Sequence, residues 1–146
     1  MGRFYGSVHI RGAAREEVLA ACLAVATELK CRFLLAPEIG GWISVYPSDT
    51  GQDGQVSRKI AGLVRGETVH VLLHDDDIFS YLYFRDGRLA DEYDSNPDYF
   101  GTTAPNARKA LRGKPEAFSG ALSEMDCALE FTRDEKILVA SLRSGT

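Results

Sequence analysis

The stretch that decides the fold is residues 68–100, TVHVLLHDDDIFSYLYFRDGRLADEYDSNPDYF. Valine and leucine alternate with threonine and histidine over residues 68–74, which predicts a strand with one wholly apolar face. Three aspartates follow at 75–77, and acids in a row favour a turn over a strand. Residues 78–85 are rich in aromatics and predict a second strand.

The pair Asp86-Gly87 predicts a two-residue type I′ turn, because both central residues of that turn need positive φ. A return strand is then expected over 88–94. This turn fixes the expected register, which pairs Arg85 with Arg88, Phe84 with Leu89, Leu82 with Asp91 and Tyr81 with Glu92.

That register divides the hairpin into two faces. The expected core face holds Ile78, Ser80, Leu82, Phe84, Leu89 and Tyr93, with Asp91 as its exception. The other face holds Phe79, Tyr81, Tyr83, Ala90, Glu92 and Asp94. We call Phe79, Tyr81 and Tyr83 the aromatic stripe. Either another element covers this stripe or it is an exposed recognition surface, since aromatic residues often anchor interfaces.

Composition favours a single soluble domain. A chain of 146 residues is long enough to bury a core without a metal or a disulfide. Its three cysteines, Cys22, Cys31 and Cys127, form no CxxC motif and suit a reducing compartment. The apolar run at 18–29 has helical spacing and contains Glu28, so it predicts a core helix and no membrane segment. We therefore expect a cytoplasmic protein.

Charge is unevenly distributed along the chain. Residues 75–98 carry eight acids and two bases, a net charge of −6, whereas the rest of the chain carries +2. Such an acidic region attracts basic surfaces and repels phosphate backbones. The short basic cluster at 108–114 is expected to be a solvated helix face, so no nucleic-acid partner is predicted.

The whole pattern predicts a single-domain α+β fold. Strands are expected over 3–10, 32–36, 42–46, 68–74, 78–85 and 88–94, and the main helices over 14–30 and 55–65. We expect a mixed, mostly antiparallel sheet of five or six strands with both helices on one face. Residues 1–100 would form the core and 101–146 a helical segment packed on it, with short helices over 107–112 and 115–122 and a helix or a strand near 134–143.

Catalytic and metal-binding motifs give little support to an enzyme. The run His74-Asp75-Asp76-Asp77 suggests a divalent-cation site for a hydrolase or a phosphoryl-transfer enzyme, which is our alternative hypothesis. His70 and His74 cannot share a metal, since positions four residues apart on an extended strand are separated by roughly 13 Å. The loop at 49–54 lacks the glutamate that an EF-hand needs, and the residues at 51–59 do not match a phosphate loop. No cofactor and no catalytic residue are predicted.

The functional expectation is therefore a non-enzymatic interaction module. Its acidic, aromatic hairpin would bind a protein with a basic surface, as acidic inhibitors and immunity-type proteins do. The expected partner-binding residues are Asp75, Asp76, Asp77, Phe79, Tyr81, Tyr83, Glu92 and Asp94. We expect such binding to weaken with salt, with Tyr81→Ala and with Asp76→Lys.

Overall fold

The structure, a computed structural model, describes residues 2–49 and 51–114. In chain order the elements of this part are β1 (Phe4–Arg11), α1 (Arg15–Leu29), β2 (Phe33–Leu35), β3 (Trp42–Pro47), α2 (Gly54–Ala61), β4 (Glu67–His74), β5 (Ile78–Arg85), β6 (Arg88–Asp94) and α3 (Pro105–Ala110).

The predicted α+β class is confirmed, and the sheet has six strands. Their order across the sheet is β2-β3-β1-β4-β5-β6. Every pair of neighbours is antiparallel, so the described sheet is antiparallel throughout and not mixed. Antiparallel neighbours can be joined by tight turns, which accounts for the short links from β4 to β5 and from β5 to β6.

Both main helices pack against one face of the sheet, as predicted, and we call it the helix face. Its core combines alternate residues of the central strands with one side of each helix. The buried members are Val8, Ile10, Val18, Ala21, Cys22, Val25, Ile43, Val45, Val56, Ile60 and Val64. The four-residue spacing of Val56 and Ile60, together with the strand alternation, explains why one apolar layer forms here.

Helix α1 buries only part of the apolar run predicted at 18–29. Val18 and Cys22 are buried, but Leu19 and Leu23 on the neighbouring side are 48% and 61% exposed. Apolar residues surround most of this helix, so spacing alone does not identify the side that faces the sheet. Helix α2 is also shorter than predicted and ends at Ala61.

The hairpin from β5 to β6 confirms the predicted turn but corrects the predicted register. Asp86 and Gly87 have φ of 48° and 82°, and Arg85 pairs with Arg88. A β-bulge then intervenes, so that Tyr83 pairs with Asp91. Leu82 pairs with Glu92 and Tyr81 with Tyr93, which is one residue beyond the predicted partners.

The bulge exchanges the side chains of β6 between the two faces, because one extra residue reverses the strand alternation. Asp91 leaves the helix face, where it was the predicted exception, and joins the aromatic stripe. Tyr93 moves with it, whereas Glu92 and Asp94 now lie on the parity of the helix face. The predicted faces were therefore wrong for β6 beyond the bulge.

The segment after residue 100 contains α3 and then returns to the edge of β6. The Leu111 carbonyl accepts a hydrogen bond from Asp94 N, and the backbone of Lys114 donates to Asp91 at 2.8 Å. The predicted helix at 107–112 corresponds to α3, which begins earlier, with Pro105 in its first turn. The elements predicted at 115–122 and 134–143 lie outside the described residues.

Candidate protein-interaction site at the end of the sheet

Strand β4 places His70 on the helix face, where it is fully buried. The Gly51 carbonyl accepts a hydrogen bond from its Nε2 at 2.8 Å, and its Nδ1 lies 2.7 Å from the Ser57 hydroxyl. Both ring nitrogens of His70 therefore have partners, and they come from the loop before α2 and from α2 itself. A buried imidazole whose two nitrogens are both engaged fastens a loop to the sheet.

Burial lowers the pKa of His70, since a charged ring loses its hydration there. The neutral ring then carries its proton on Nε2, because the Gly51 carbonyl can only accept. The single hydrogen of the Ser57 hydroxyl is then shared between Nδ1, at 2.7 Å, and the Gly54 carbonyl, at 3.1 Å. No surface of this histidine remains for a ligand or a substrate.

His74 lies four residues further along β4, on the same parity, and its surroundings are aromatic. Its ring meets Phe4 at a centroid distance of 4.7 Å, Phe100 at 5.0 Å and Tyr99 at 5.8 Å. All three pairs are edge-to-face, with interplanar angles of 86°, 71° and 77° respectively. We call Phe4, His74, Tyr99 and Phe100 the sheet-end cluster.

Much of the sheet-end cluster is exposed. Phe100 is 79% exposed, Phe4 46% and Tyr99 38%. Large aromatic side chains are usually removed from water on folding, and contiguous exposed ones mark interaction sites. This cluster is therefore the most evident aromatic surface in the part of the chain that the structure describes.

The loop that follows β6 presents Tyr99 and Phe100, and Asp98 holds this loop together. Its carboxylate accepts from Thr103 N at 2.8 Å and from the Arg108 guanidinium at 2.6 Å. The amide hydrogen bond, the larger cause, and the Arg108 charge together lower the pKa of Asp98. Asn-Pro-Asp is a turn sequence, so a compact loop is what these residues favour locally.

The acidic turn, Asp75 to Asp77, lies beside the sheet-end cluster. The Asp75 carboxylate accepts from Gly2 N at 2.8 Å and from the Tyr99 hydroxyl at 3.2 Å. That hydroxyl bond raises the pKa of Tyr99. Asp76 and Asp77 are exposed, and Arg3 also lies here, with its carbonyl accepting from Asp76 N at 3.4 Å.

The acidic turn adopts a left-handed backbone, with φ of 54° at Asp75 and 58° at Asp76. Aspartate tolerates this conformation better than most residues, since its short side chain bonds locally. The sequence pattern predicted a turn at this position, and the structure has one. The result is a tight bend that projects carboxylates past the end of the sheet.

The aromatic stripe is less accessible than the acidic turn. Tyr83 is fully buried, and Phe79 and Tyr81 are half-buried. The Tyr81 hydroxyl donates to the buried Asp91 carboxylate at 2.6 Å, and the Tyr81 and Tyr93 rings stack at 5.7 Å. Burial, more than the bond to Asp91, raises the pKa of Tyr81.

Tyr83 belongs to a polar network on the face opposite the helices. Its hydroxyl donates to Glu67 at 2.8 Å and accepts from the Arg85 guanidinium at 3.0 Å. The other Glu67 oxygen accepts from Arg11 Nε at 2.7 Å. Trp42 is also buried here, with the Arg11 guanidinium 5.1 Å from its ring centre. These contacts integrate Tyr83 into the fold, so it is not an exposed anchor.

The predicted partner-binding residues are thus divided among three places. Asp75, Asp76 and Asp77 lie together at the end of the sheet. The aromatic stripe lies on the face opposite the helices, and Glu92 and Asp94 lie on the helix-face parity. The structure does not bring these eight side chains onto one surface.

A metal site at His74–Asp77 was the alternative hypothesis. Within residues 2–49 and 51–114, no group of three or more His, Cys, Asp or Glu side chains is placed to hold a metal ion.

In the loop before α2, the carboxylates of Asp49 and Asp53 accept hydrogen bonds from Gly51 N at 2.8 Å and from Gln55 N at 2.9 Å. That loop is built around backbone amides, and Asp53 caps α2.

Phe4, Tyr99 and Phe100 were missed as site residues at the level of sequence. They come from β1 and from the loop after β6, and only the fold brings them together around His74. The Tyr99-Phe100 pair was a usable signal, because it follows an Asn-Pro-Asp turn, and turns and loops run over the surface.

In the part of the chain that the structure describes, no helix combines the length and the apolar character needed to cross a membrane. Comparisons of the chain with protein-family models, with curated proteins and with solved structures give no match. The function of this chain is therefore inferred from its own geometry.

Proposed function

We propose that this protein is a non-enzymatic interaction module that binds a basic protein surface at the end of its sheet. The observation that carries the proposal is an exposed aromatic cluster directly beside an acidic turn. Phe100 is 79% exposed, and the carboxylates of Asp76 and Asp77 lie at the surface.

The aromatic anchors proposed here are not the ones that the sequence predicts. The exposed rings of Phe4, Tyr99 and Phe100 replace the aromatic stripe as anchors, because Tyr83 is buried. The acidic turn keeps the role expected for it. Aromatic rings supply contact area at low entropic cost, and the carboxylates accelerate the encounter with a basic partner.

The test is a titration of the whole protein with a blocked octalysine peptide at low and at high salt. Asp77→Lys should weaken binding roughly fivefold at low salt, since it reverses a charge within the proposed surface. We choose Asp77 over Asp76 because Asp76 has φ of 58°, where lysine would add backbone strain.

The matched control is Glu38→Lys, which makes the same charge change in the exposed loop after β2. This loop follows the opposite edge strand of the sheet, so the control should change affinity by less than about twofold. Equal losses in both variants would show that octalysine senses net charge alone. That result, or no binding at low salt, would remove the proposal.

A further inference from the structure

The rings of the sheet-end cluster meet edge to face at the surface of the molecule. His74 meets Phe4 and Phe100 at interplanar angles of 86° and 71°, and Tyr99 meets Phe100 at 80° with centroids 4.9 Å apart. Rings set nearly perpendicular to one another present their faces in several directions. The face of an aromatic ring carries the negative part of its quadrupole and attracts cations.

Exposure determines which ring can take a ligand. Phe100 is 79% exposed, so most of its ring surface is in contact with water. Its loop is held by Asp98, which accepts hydrogen bonds from Thr103 and Arg108, so the ring sits on a braced backbone. A braced, exposed ring loses little entropy when a planar group stacks on it.

Carboxylates adjoin the same rings. The Asp75 carboxylate accepts a hydrogen bond from the Tyr99 hydroxyl, and the Tyr99 ring touches Phe100. The charge of Asp77 also acts on Tyr99 and raises the pKa of its hydroxyl, a smaller effect than that of Asp75. A cation on the Phe100 ring would therefore lie in the field of the acidic turn.

The combination of ring faces and carboxylates favours arginine over lysine. A guanidinium is planar, stacks on aromatic faces and pairs with carboxylates through two parallel hydrogen bonds. An ammonium is compact and more strongly hydrated, so it gains less from a stacking surface. A site made of carboxylates alone would discriminate less between arginine and lysine, because it offers no stacking surface.

We propose that the sheet-end cluster is a binding site for one arginine side chain of the partner, stacked on Phe100 and paired with the acidic turn. This inference rests on the proposed function and specifies the chemistry of the group that is recognised. It assigns Phe4, His74 and Tyr99 to the walls of the site and Phe100 to the stacking surface.

The test uses three blocked pentapeptides that differ only in a central arginine, lysine or citrulline. Citrulline keeps the planar shape of arginine but has no charge. Ring resonances of Phe4, Tyr99 and Phe100 are followed by NMR on the whole protein. We expect the arginine peptide to shift them with an affinity at least about threefold above that of the lysine peptide, and citrulline to leave them unmoved.

One variant separates ring stacking from apolar contact, and a second variant serves as its control. Phe100→Leu keeps an apolar side chain but removes the ring, so the preference for arginine over lysine should fall to about one. Leu34→Ala is the control, because Leu34 is 70% exposed on the edge strand β2 and should leave the preference unchanged. A preference that survives in Phe100→Leu, or that is lost in Leu34→Ala, would contradict the assignment.

The outcomes also distinguish this inference from the proposed function. Equal binding of the arginine and lysine peptides, or ring signals that do not move with arginine, would overturn the arginine site. If octalysine binding still weakened with Asp77→Lys, the interaction module itself would stand. Failure of both octalysine and the arginine peptide to bind would remove the two proposals together.

Discussion

His70 and His74 share a strand, a face and a residue type, yet they have opposite surroundings. His70 is fully buried, with Ser57 and the Gly51 carbonyl on its two ring nitrogens. His74 is half-buried among the rings of the sheet-end cluster, and its Nδ1 lies 3.3 Å from the Gln52 side-chain oxygen. The first histidine is part of the fold, and the second adjoins a surface.

The different surroundings of His70 and His74 come from segments distant in sequence and not from β4 itself. The loop before α2 covers His70, whereas the loop after β6 brings Tyr99 and Phe100 to His74. Strand alternation predicts on which face of the sheet a residue lies. It does not predict whether a helix or a loop covers the residue there. A histidine in a strand therefore needs its long-range neighbours before it can be given a role.

The largest effect on stability should come from the contact between Gly6 and Gly51, which lets the loop before α2 reach His70. Gly6 on β1 lies directly against Gly51, and a Cβ built at Gly6 would stand 2.8 Å from the Gly51 Cα and closer still to its carbonyl. Gly6→Ala should therefore displace the loop and its bond to His70, at a cost of about 3 kcal/mol or more. Urea unfolding measures this loss.

Gly54→Ala is the matched control, since a Cβ there would meet only the end of the Leu82 side chain at 3.3 Å. Gly54 is the first residue of α2, where alanine is a better helix former, so the stability should change by less than about 1 kcal/mol. Gly6→Ala at wild-type stability would show that the loop does not depend on this close approach.

An intermediate effect is expected from pH, through His9, which is half-buried on β1. Burial, with a smaller contribution from His70, lowers the pKa of His9 from 6.5 to about 4. The unfolded chain then binds a proton that the folded chain excludes, so stability is present above pH 6.5 and is lost as the pH falls toward 4. His9 alone should contribute a loss of about 2 kcal/mol between pH 7 and pH 5.

Urea unfolding at both pH values, with and without His9→Gln, isolates this contribution, because the carboxylates titrate in both proteins. His9 bridges Ser7 and Ser44, each at 2.8 Å, and glutamine keeps polar atoms there. Stability should fall less steeply with acid in the variant. The same slope in both proteins would mean that His9 titrates alike in the folded and unfolded chains.

The smallest effect on stability should come from the sheet-end cluster. Phe100→Ala removes a ring that is 79% exposed, so the free energy of unfolding should change by less than about 0.5 kcal/mol. An exposed ring contributes little to folding, and this separates the sheet-end cluster from the region around His70. A loss above about 2 kcal/mol would instead place Phe100 in the packing of the folded chain.

Local signals in the sequence predicted much of the fold. Asp86-Gly87 gave the β5–β6 turn, and alternation over 68–74 gave the central strand. The observed β6, Arg88–Asp94, matches the predicted strand. These features depend on a few neighbouring residues, so a single chain is enough to recognise them.

The bulge between Tyr83 and Phe84 could not be predicted in the same way. No glycine or proline marks it, although Asp91 on the expected core face was a conflict that an extra residue resolves. The sequence predicted the acidic part of the candidate site but not its aromatic part. The acidic turn followed from its three aspartates, whereas Phe4 reaches His74 only through the pairing of β1 with β4.

Strand β2, at one edge of the sheet, has only three residues, Phe33–Leu35. The chain leaves it toward Pro37. Proline has no amide hydrogen to donate, and a strand this short offers few backbone groups with which a neighbouring molecule can extend the sheet. At this border the domain is thus protected against uncontrolled polymerisation, even while it keeps aromatic rings in water elsewhere.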